Sequence, residues 1–84
     1  MGDMAKVDIV DFMYKGDVQV EPGQMVMVTN GDAEAHTLSS DDAGMFAVTV
    51  QPGGSAMFDA PTKPGSYAYH CDFHANMHGS LVVG

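Results

Sequence analysis

The amino-acid sequence predicts an all-β protein, a β-sandwich of seven to eight short strands. Runs rich in β-branched and aromatic residues recur along the chain, and turns containing Gly or Pro separate them at intervals of about six to ten residues. No segment sustains a helical period with capping residues at its ends. The 84 residues contain no repeat or linker, so residues 1–84 are predicted to form one domain.

The predicted strands follow one another in chain order. They are KVDIVDFMY (6–14), VQV (18–20), QMVMVTN (24–30), HTLSS (36–40), FAVTV (46–50), SAMFDA (55–60), SYAYHC (66–71) and GSLVVG (79–84). The turns between them are expected at Lys15-Gly16-Asp17, Glu21-Pro22-Gly23, Asn30-Gly31-Asp32, Gln51-Pro52-Gly53-Gly54 and Pro64-Gly65. In the third strand, alternation places Val26 and Val28 on one face. Met25 and Met27 are then expected on the other face.

Alternation also predicts which residues of the seventh strand point inward. Tyr67, Tyr69 and Cys71 share one face, and the two aromatic rings mark that face as buried. Cys71 is therefore expected to point into the core at the end of its strand. His70 is on the opposite face and is expected to point to solvent.

The charge balance narrows the classes of partner. Eleven acidic residues outnumber three lysines, there is no arginine, and the net charge is −8. Such a surface is repelled by nucleic acid and by anionic membranes, so a protein partner is expected to carry a basic patch. No apolar run approaches the length of a membrane span, and no signal peptide is visible.

The strongest chemical signal lies in residues 70–78, which hold one cysteine, three histidines and one methionine. Cys71, His74 and Met77 follow the spacing C-x2-H-x2-M on a short loop between the last two strands. A thiolate, an imidazole and a thioether form a soft to borderline ligand set, which favours copper over hard cations. A mononuclear blue-copper site needs a second imidazole, and His36, which follows the break after the third strand, is the candidate.

The order of these segments resembles the cupredoxin family of small blue-copper proteins, and most closely its amicyanin- and plastocyanin-type members. The resemblance rests on HTL (36–38) after a Gly- and Asp-containing loop, PGSYAYHC (64–71), the short ligand loop and GSLVV (79–83). It extends over nearly the whole chain. It implies a Greek-key β-sandwich and a one-electron carrier, not an enzyme, that cycles one type 1 copper ion between Cu(II) and Cu(I).

Carried over by position, the resemblance implies three equatorial copper ligands, His36, Cys71 and His74. It implies Met77 as the axial ligand. It also implies that the backbone N–H of Thr37 donates a hydrogen bond to the Cys71 sulfur.

Two further positions depart from the family pattern. The resemblance implies that Asn30 ties its loop to the residue after the cysteine, which in this chain is Asp72 rather than Ser or Thr. Phe73 stands where amicyanin-like loops carry proline, so its N–H is free to donate a second hydrogen bond to the thiolate. Withdrawal of charge from the sulfur favours Cu(I) and raises the reduction potential.

His74 is expected to present its ring edge at the surface between Phe73 and Ala75, where electrons enter and leave. The expected partners are redox proteins with basic patches that dock weakly and transiently on a monomer. Acidic residues expected to steer these partners are Asp32, Glu34, Asp41, Asp42 and Asp72.

The location of the protein is expected to be periplasmic or otherwise extracytoplasmic, since free copper and a reducing cytosol rarely coexist. His70 and His78 are expected to be solvent-facing residues outside the ligand set.

Three other functions fit parts of the sequence. Eight methionines suggest copper storage or delivery, although they are spread along the strands rather than grouped. His70 beside Cys71 suggests a module of a copper oxidase or nitrite reductase, although Asp72 breaks the His-Cys-His pattern of oxidases. A structural zinc ion held by His36, Cys71 and His74 is chemically plausible.

Overall fold

The computed structural model describes residues 4–16, 19–42, 45–74 and 76–84. These residues form nine strands and contain no helix long and apolar enough to cross a membrane. The strands are β1 (Ala5–Val10), β2 (Met13–Gly16), β3 (Gln19–Val20), β4 (Met25–Asn30), β5 (His36–Ser40), β6 (Ala47–Val50), β7 (Ser55–Asp59), β8 (Gly65–His70) and β9 (His78–Val83). The predictions made for Asp17, Val18 and Ala75 lie outside the described residues.

The nine strands of the described residues form two sheets, in the orders β2-β1-β4-β7 and β3-β9-β8-β5-β6. β1 pairs with β4 and β3 pairs with β9 in parallel, and the other neighbours pair antiparallel. Strands that are distant in sequence, such as β5 and β8, lie side by side, as Greek-key connections require. The prediction of an all-β sandwich is confirmed.

The core lies between the inner faces of the two sheets. Along β1 and β4, buried and more exposed side chains alternate at every residue, so each strand contributes one face to the core. Val26 and Val28 are buried whereas Met25 is exposed, as the alternation predicts. The buried apolar residues come from both sheets and include Val7, Ile9, Val26, Val28, Leu38, Val50, Tyr69, Leu81 and Val83. Each of the larger side chains stabilises the fold by about 1.5–3 kcal/mol on burial.

The predicted first strand, residues 6–14, is divided by a tight turn at Asp11 and Phe12. Val10 pairs with Met13, so Asp11 and Phe12 form the whole loop of a β-hairpin. Both loop residues have positive φ, 54° at Asp11 and 60° at Phe12. Such loops normally carry Asn or Gly, because positive φ is costly for other side chains. The Asp32 carboxylate accepts both backbone N–H groups of the turn, at 2.9 and 3.0 Å. This hairpin explains why the described residues form nine strands rather than the seven to eight predicted.

The pairing of β5 with β8 gathers distant residues at one end of the sandwich. The two strands are antiparallel, with Ser39 opposite His70. Continuation of the same register places the beginning of β5, which is His36, opposite the residues that follow Cys71. The loop from Cys71 to Met77 then connects β8 to β9 at this end.

Candidate metal centre

Cys71 follows β8 directly and is buried, with 3% of its surface exposed. It points inward as the strand alternation predicts. The backbone N–H of Thr37, on β5, donates to its sulfur at 3.4 Å, which confirms the hydrogen bond implied by the family resemblance. The thiol is therefore held between the two strands that meet at this end.

The surroundings of Cys71 favour its ionised form. Burial raises the pKa of the thiol, but hydrogen bonds from the backbone N–H groups of Thr37, Phe73 and His74 together lower that pKa below its ordinary value. The thiolate, not the thiol, is the form that binds metals. The contribution of the Phe73 N–H agrees with the donation predicted for a non-proline residue at this position.

His36 is the first residue of β5, and its side chain is completely buried. Its Nδ1 lies 3.8 Å from the Cys71 sulfur, and its Nε2 lies 2.9 Å from an oxygen of Asp32. A metal about 2.3 Å from a sulfur and about 2.0 Å from an imidazole nitrogen, with roughly 120° between the bonds, separates the two atoms by about 3.7 Å, close to the observed distance. The spacing of this pair therefore fits one shared metal ion.

Asp32 connects His36 to the β1–β2 hairpin. One carboxylate oxygen accepts from the Phe12 N–H and also contacts His36, and the other accepts from the Asp11 N–H. Hydrogen bonds, first that of Phe12 and then those of Asp11 and His36, lower the pKa of Asp32, so the carboxylate stays ionised. A carboxylate only accepts, so it fixes the hydrogen of His36 on Nε2 and leaves Nδ1 for a metal. Asp32 was predicted as part of a turn and as a steering acid but not as a partner of His36; its place four residues before His36 is the sequence signal for this role.

His74 lies on the loop after Cys71, with its ring centroid 4.9 Å from that of His36. One quarter of its side chain is exposed, and its Nε2 lies 3.4 Å from a carboxylate oxygen of Glu34. Phe12 packs edge-on against both imidazoles, with centroids 5.1 Å from His36 and 4.7 Å from His74. This contact was not predicted, because Asp11 and Phe12 carry no Gly, Asn or Pro to indicate the hairpin that brings Phe12 to this end.

Met77 closes the ligand loop and is buried, with 2% of its surface exposed. Its backbone N–H donates to the carbonyl of His74, and its own carbonyl accepts from the N–H of Cys71. Among the described residues, no three His, Cys, Asp or Glu side chains already surround a metal position. The set of His36, Cys71, His74 and Met77, which the fold brings to one end of the sandwich, therefore stays a prediction.

His70 occupies the outer side of the same strand end. Its Nδ1 lies 2.5 Å from Asp41 and its Nε2 lies 3.0 Å from Asp72, so both ring nitrogens face carboxylates. The hydrogen bond to Asp41, reinforced by that to Asp72, raises the pKa of His70. His78 is exposed at the beginning of β9. Both residues lie outside the buried cluster, as expected.

The predicted tie between Asn30 and Asp72 is wrong. The Asn30 amide instead donates to the carbonyls of Glu34 and Val50, so it holds its own loop against β6. The N–H of Asp72 donates to the hydroxyl of Thr37 at 2.8 Å. Thr37 therefore makes the connection that the family resemblance implied for Asn30, because the β5–β8 register, continued beyond Ser39 and His70, places Thr37 beside Asp72.

Comparison with known proteins identifies the family. The family model described as a cupredoxin-like domain matches residues 6–83. The chain belongs to the cupredoxin family. No curated protein matches this cupredoxin by sequence.

Solved structures of amicyanin are similar to this cupredoxin over most of its length. The reduced state of a proline-to-phenylalanine variant of amicyanin shares 29% identity, with a TM-score of 0.78, over 94% of this chain and 80% of the other. The Cu(I) form, at pH 4, of a proline-to-glycine variant shares 26% identity, with a TM-score of 0.81, over 100% of this chain and 86% of the other. An oxidised methionine-to-leucine variant shares 27% identity, with a TM-score of 0.77, over 94% of this chain and 80% of the other.

Proposed function

We propose that this cupredoxin is a small blue-copper electron carrier, not an enzyme, that binds one copper ion through His36, Cys71, His74 and Met77. The observation that carries the proposal is the buried Cys71 thiol, whose pKa is lowered and whose sulfur lies 3.8 Å from His36 Nδ1. Copper bound at this position supplies a one-electron couple between Cu(II) and Cu(I). The similarity to amicyanin structures in reduced and oxidised forms supports the same reading.

The protein's own part is to hold its ligands in place before electron transfer. Asp32 fixes the orientation of His36, and the Thr37 N–H fixes the thiolate while it withdraws charge from the sulfur. Burial of Cys71 and Met77 keeps water from the sulfur atoms. Because His36 and Cys71 are held in this way, we expect little rearrangement of these two groups when the oxidation state changes.

The exchange of electrons is assigned to the His74 end. His74 is partly exposed, and Phe73, with 56% of its surface exposed, and Phe12 form an apolar border around it. We assign the partners to redox proteins with basic patches, which the net charge of −8 attracts. The protein is proposed to act as a monomer outside the cytoplasm.

The oxidase and reductase alternatives need a histidine beside Cys71 that can reach a second copper. His70 is the residue in that position, and both of its ring nitrogens face Asp41 and Asp72. This pairing disfavours a role for His70 as a ligand of a second copper.

The test is the addition of Cu(II) to purified metal-free protein. We expect an intense blue absorption that ascorbate bleaches, because a copper–thiolate bond supplies the charge-transfer band. Cys71→Ser should remove the colour, whereas Met45→Leu, at an exposed methionine outside the site, should keep it. A colourless protein that holds zinc and does not take up Cu(II) would contradict the proposal and favour a structural zinc site.

A further inference from the structure

Three methionines lie side by side on the outer face of the first sheet. Met27 of β4 and Met57 of β7 are direct cross-strand partners, and Met25 lies two residues before Met27 on the same face. Met57 and Met25 are 54% and 42% exposed, and Met27 is half-buried. The expectation that the methionines are spread rather than grouped is therefore wrong for these three, because the β4–β7 register brings them together.

Methionine is an unusual choice for these positions. The outward face of an antiparallel pair is ordinarily polar, and methionine is not among the residues enriched in strands. The remaining outward positions of the β4–β7 pair follow that rule, since they are Thr29, Ser55 and Asp59. The three thioethers therefore interrupt an otherwise polar face.

The register places the three side chains within reach of one ion. Directly opposed residues have Cβ atoms about 4.5–5.5 Å apart, which applies to Met27 and Met57. Neighbours on the same face of one strand, such as Met25 and Met27, are about 6.6 Å apart, and diagonal neighbours are about 7–8 Å apart. A methionine side chain has three rotatable bonds, so the sulfurs can converge above the sheet without movement of the strands.

We infer that Met25, Met27 and Met57 form a surface site for a soft monovalent cation, of which Cu(I) is the physiological example. Thioether sulfur selects such ions, whereas Mg²⁺, Ca²⁺ and Zn²⁺ prefer oxygen, nitrogen or thiolate ligands. Asp59 is opposite Met25 and Lys6 is beside Met27, so one negative and one positive side chain border the site. The net charge of −8 favours the approach of cations to the whole molecule.

This site is separate from the centre at Cys71. The methionines lie on the outward side of β4 and β7, whereas His36 begins β5 and Cys71 directly follows β8, both strands of the other sheet, and both side chains are buried. The inference does not depend on the electron-transfer function. It gives the protein a place to hold Cu(I) outside the redox centre, as in delivery or loading of the metal.

The probe is Ag(I), a soft monovalent ion that is not oxidised, added to Cu(I)-loaded protein with ¹³C-methyl-labelled methionine. We expect the methyl resonances of Met25, Met27 and Met57 to shift together and to saturate at about one equivalent of Ag(I). The resonances of Met45, which is exposed elsewhere, and Met77, which is buried in the ligand loop, should not move. Zn(II) at the same concentration should shift none of them.

Leucine has nearly the volume of methionine, so leucine variants keep the fold while removing sulfur. The double variant Met27→Leu, Met57→Leu should bind Ag(I) at least about tenfold more weakly, a loss of about 1.4 kcal/mol. Met45→Leu should leave the affinity unchanged. The same methyl shifts should persist in copper-free Cys71→Ser protein, so the outcome is distinct from failure of the electron-transfer proposal. Equal shifts at Met45, or an unchanged affinity in the double variant, would overturn the inference.

Discussion

Two histidines of this protein, His36 and His70, lie against aspartate side chains. They differ in whether a ring nitrogen remains that does not face a carboxylate and can bind a metal. His36 is fully buried, directs Nε2 to Asp32 and turns Nδ1 toward the thiol. His70 has 33% of its side chain exposed, and its two nitrogens face the carboxylates of Asp41 and Asp72. Only the buried ring keeps a nitrogen that faces the proposed copper position.

The number of carboxylates explains this difference. One carboxylate fixes the tautomer of an imidazole and leaves the other nitrogen as a ligand, which is the arrangement at His36. Two carboxylates favour the doubly protonated ring, which has no lone pair for a metal, and this is the arrangement at His70. Similar groups therefore build a candidate ligand on one side of β5 and β8 and an ion pair on the other.

The largest expected effect is the loss of the blue colour when His36, but not His70, is replaced by glutamine. His36→Gln should abolish the blue absorption, because it removes one of the nitrogen ligands and leaves Asp32 without its partner. His70→Gln should retain the colour. Absorption spectra of the two variants after addition of Cu(II) provide the measurement. A blue His36→Gln protein, or a colourless His70→Gln protein that is folded, would remove the distinction.

The second effect comes from the aspartates. Asp32→Asn removes a negative charge that stabilises Cu(II), so the reduction potential should rise. It also weakens the acceptors of the Asp11–Phe12 turn, so the melting temperature should fall. Asp41→Asn, which alters the pair at His70, should change the potential less. Voltammetry of the two copper-loaded variants measures their reduction potentials. Equal shifts of the potential in Asp32→Asn and Asp41→Asn would show that Asp32 acts only as a remote charge.

Local spacing was sufficient to predict much of the fold and of the candidate site. The turn residues predicted most strand boundaries, and the alternation of Tyr67, Tyr69 and Cys71 predicted the inward direction of the thiol. The hydrogen bond from Thr37 followed from the family resemblance. These features depend on neighbours in sequence or on a shared pattern.

Features that depend on long-range contacts were not predictable in this way. The turn at Asp11 and Phe12 has no Gly or Asn and is held by Asp32, which lies 21 and 20 residues further along the chain, so the local sequence is typical of a continuous strand. The partners of Asn30 follow from where β6 lies. The methionine group appears only once β4 and β7 are paired. In each case the tertiary contact, rather than the local composition, determines the structure.

A smaller effect, on stability, is expected from the hydrogen bond between Tyr14 and Thr37, the residue that follows His36. The Tyr14 hydroxyl donates to the carbonyl of Thr37. Burial of the Tyr14 side chain is the largest cause of the raised pKa of its hydroxyl. Tyr14→Phe should lower the free energy of unfolding by about 1 kcal/mol, since a buried acceptor loses its donor. Tyr67→Phe removes an exposed hydrogen bond to Lys63 and should cost less. Denaturant unfolding of both variants measures the difference; equal losses would mean that the Tyr14 bond has no special role.

The smallest expected effect is the pH dependence of the His70 ion pair. Hydrogen bonds to Asp41 and Asp72 raise the pKa of His70 above its ordinary value of 6.5 in the folded protein. A group whose pKa is raised on folding stabilises the protein fully below its unfolded pKa and loses that contribution as pH rises through the folded pKa. The difference in unfolding free energy between the parent and His70→Gln should therefore be largest near pH 6, where the carboxylates remain ionised, and should fall toward about pH 9. Because the pair is exposed, salt should shrink the difference. Denaturation of the two copper-loaded proteins across this range measures it, and a difference independent of pH would show that His70 acts through packing rather than charge.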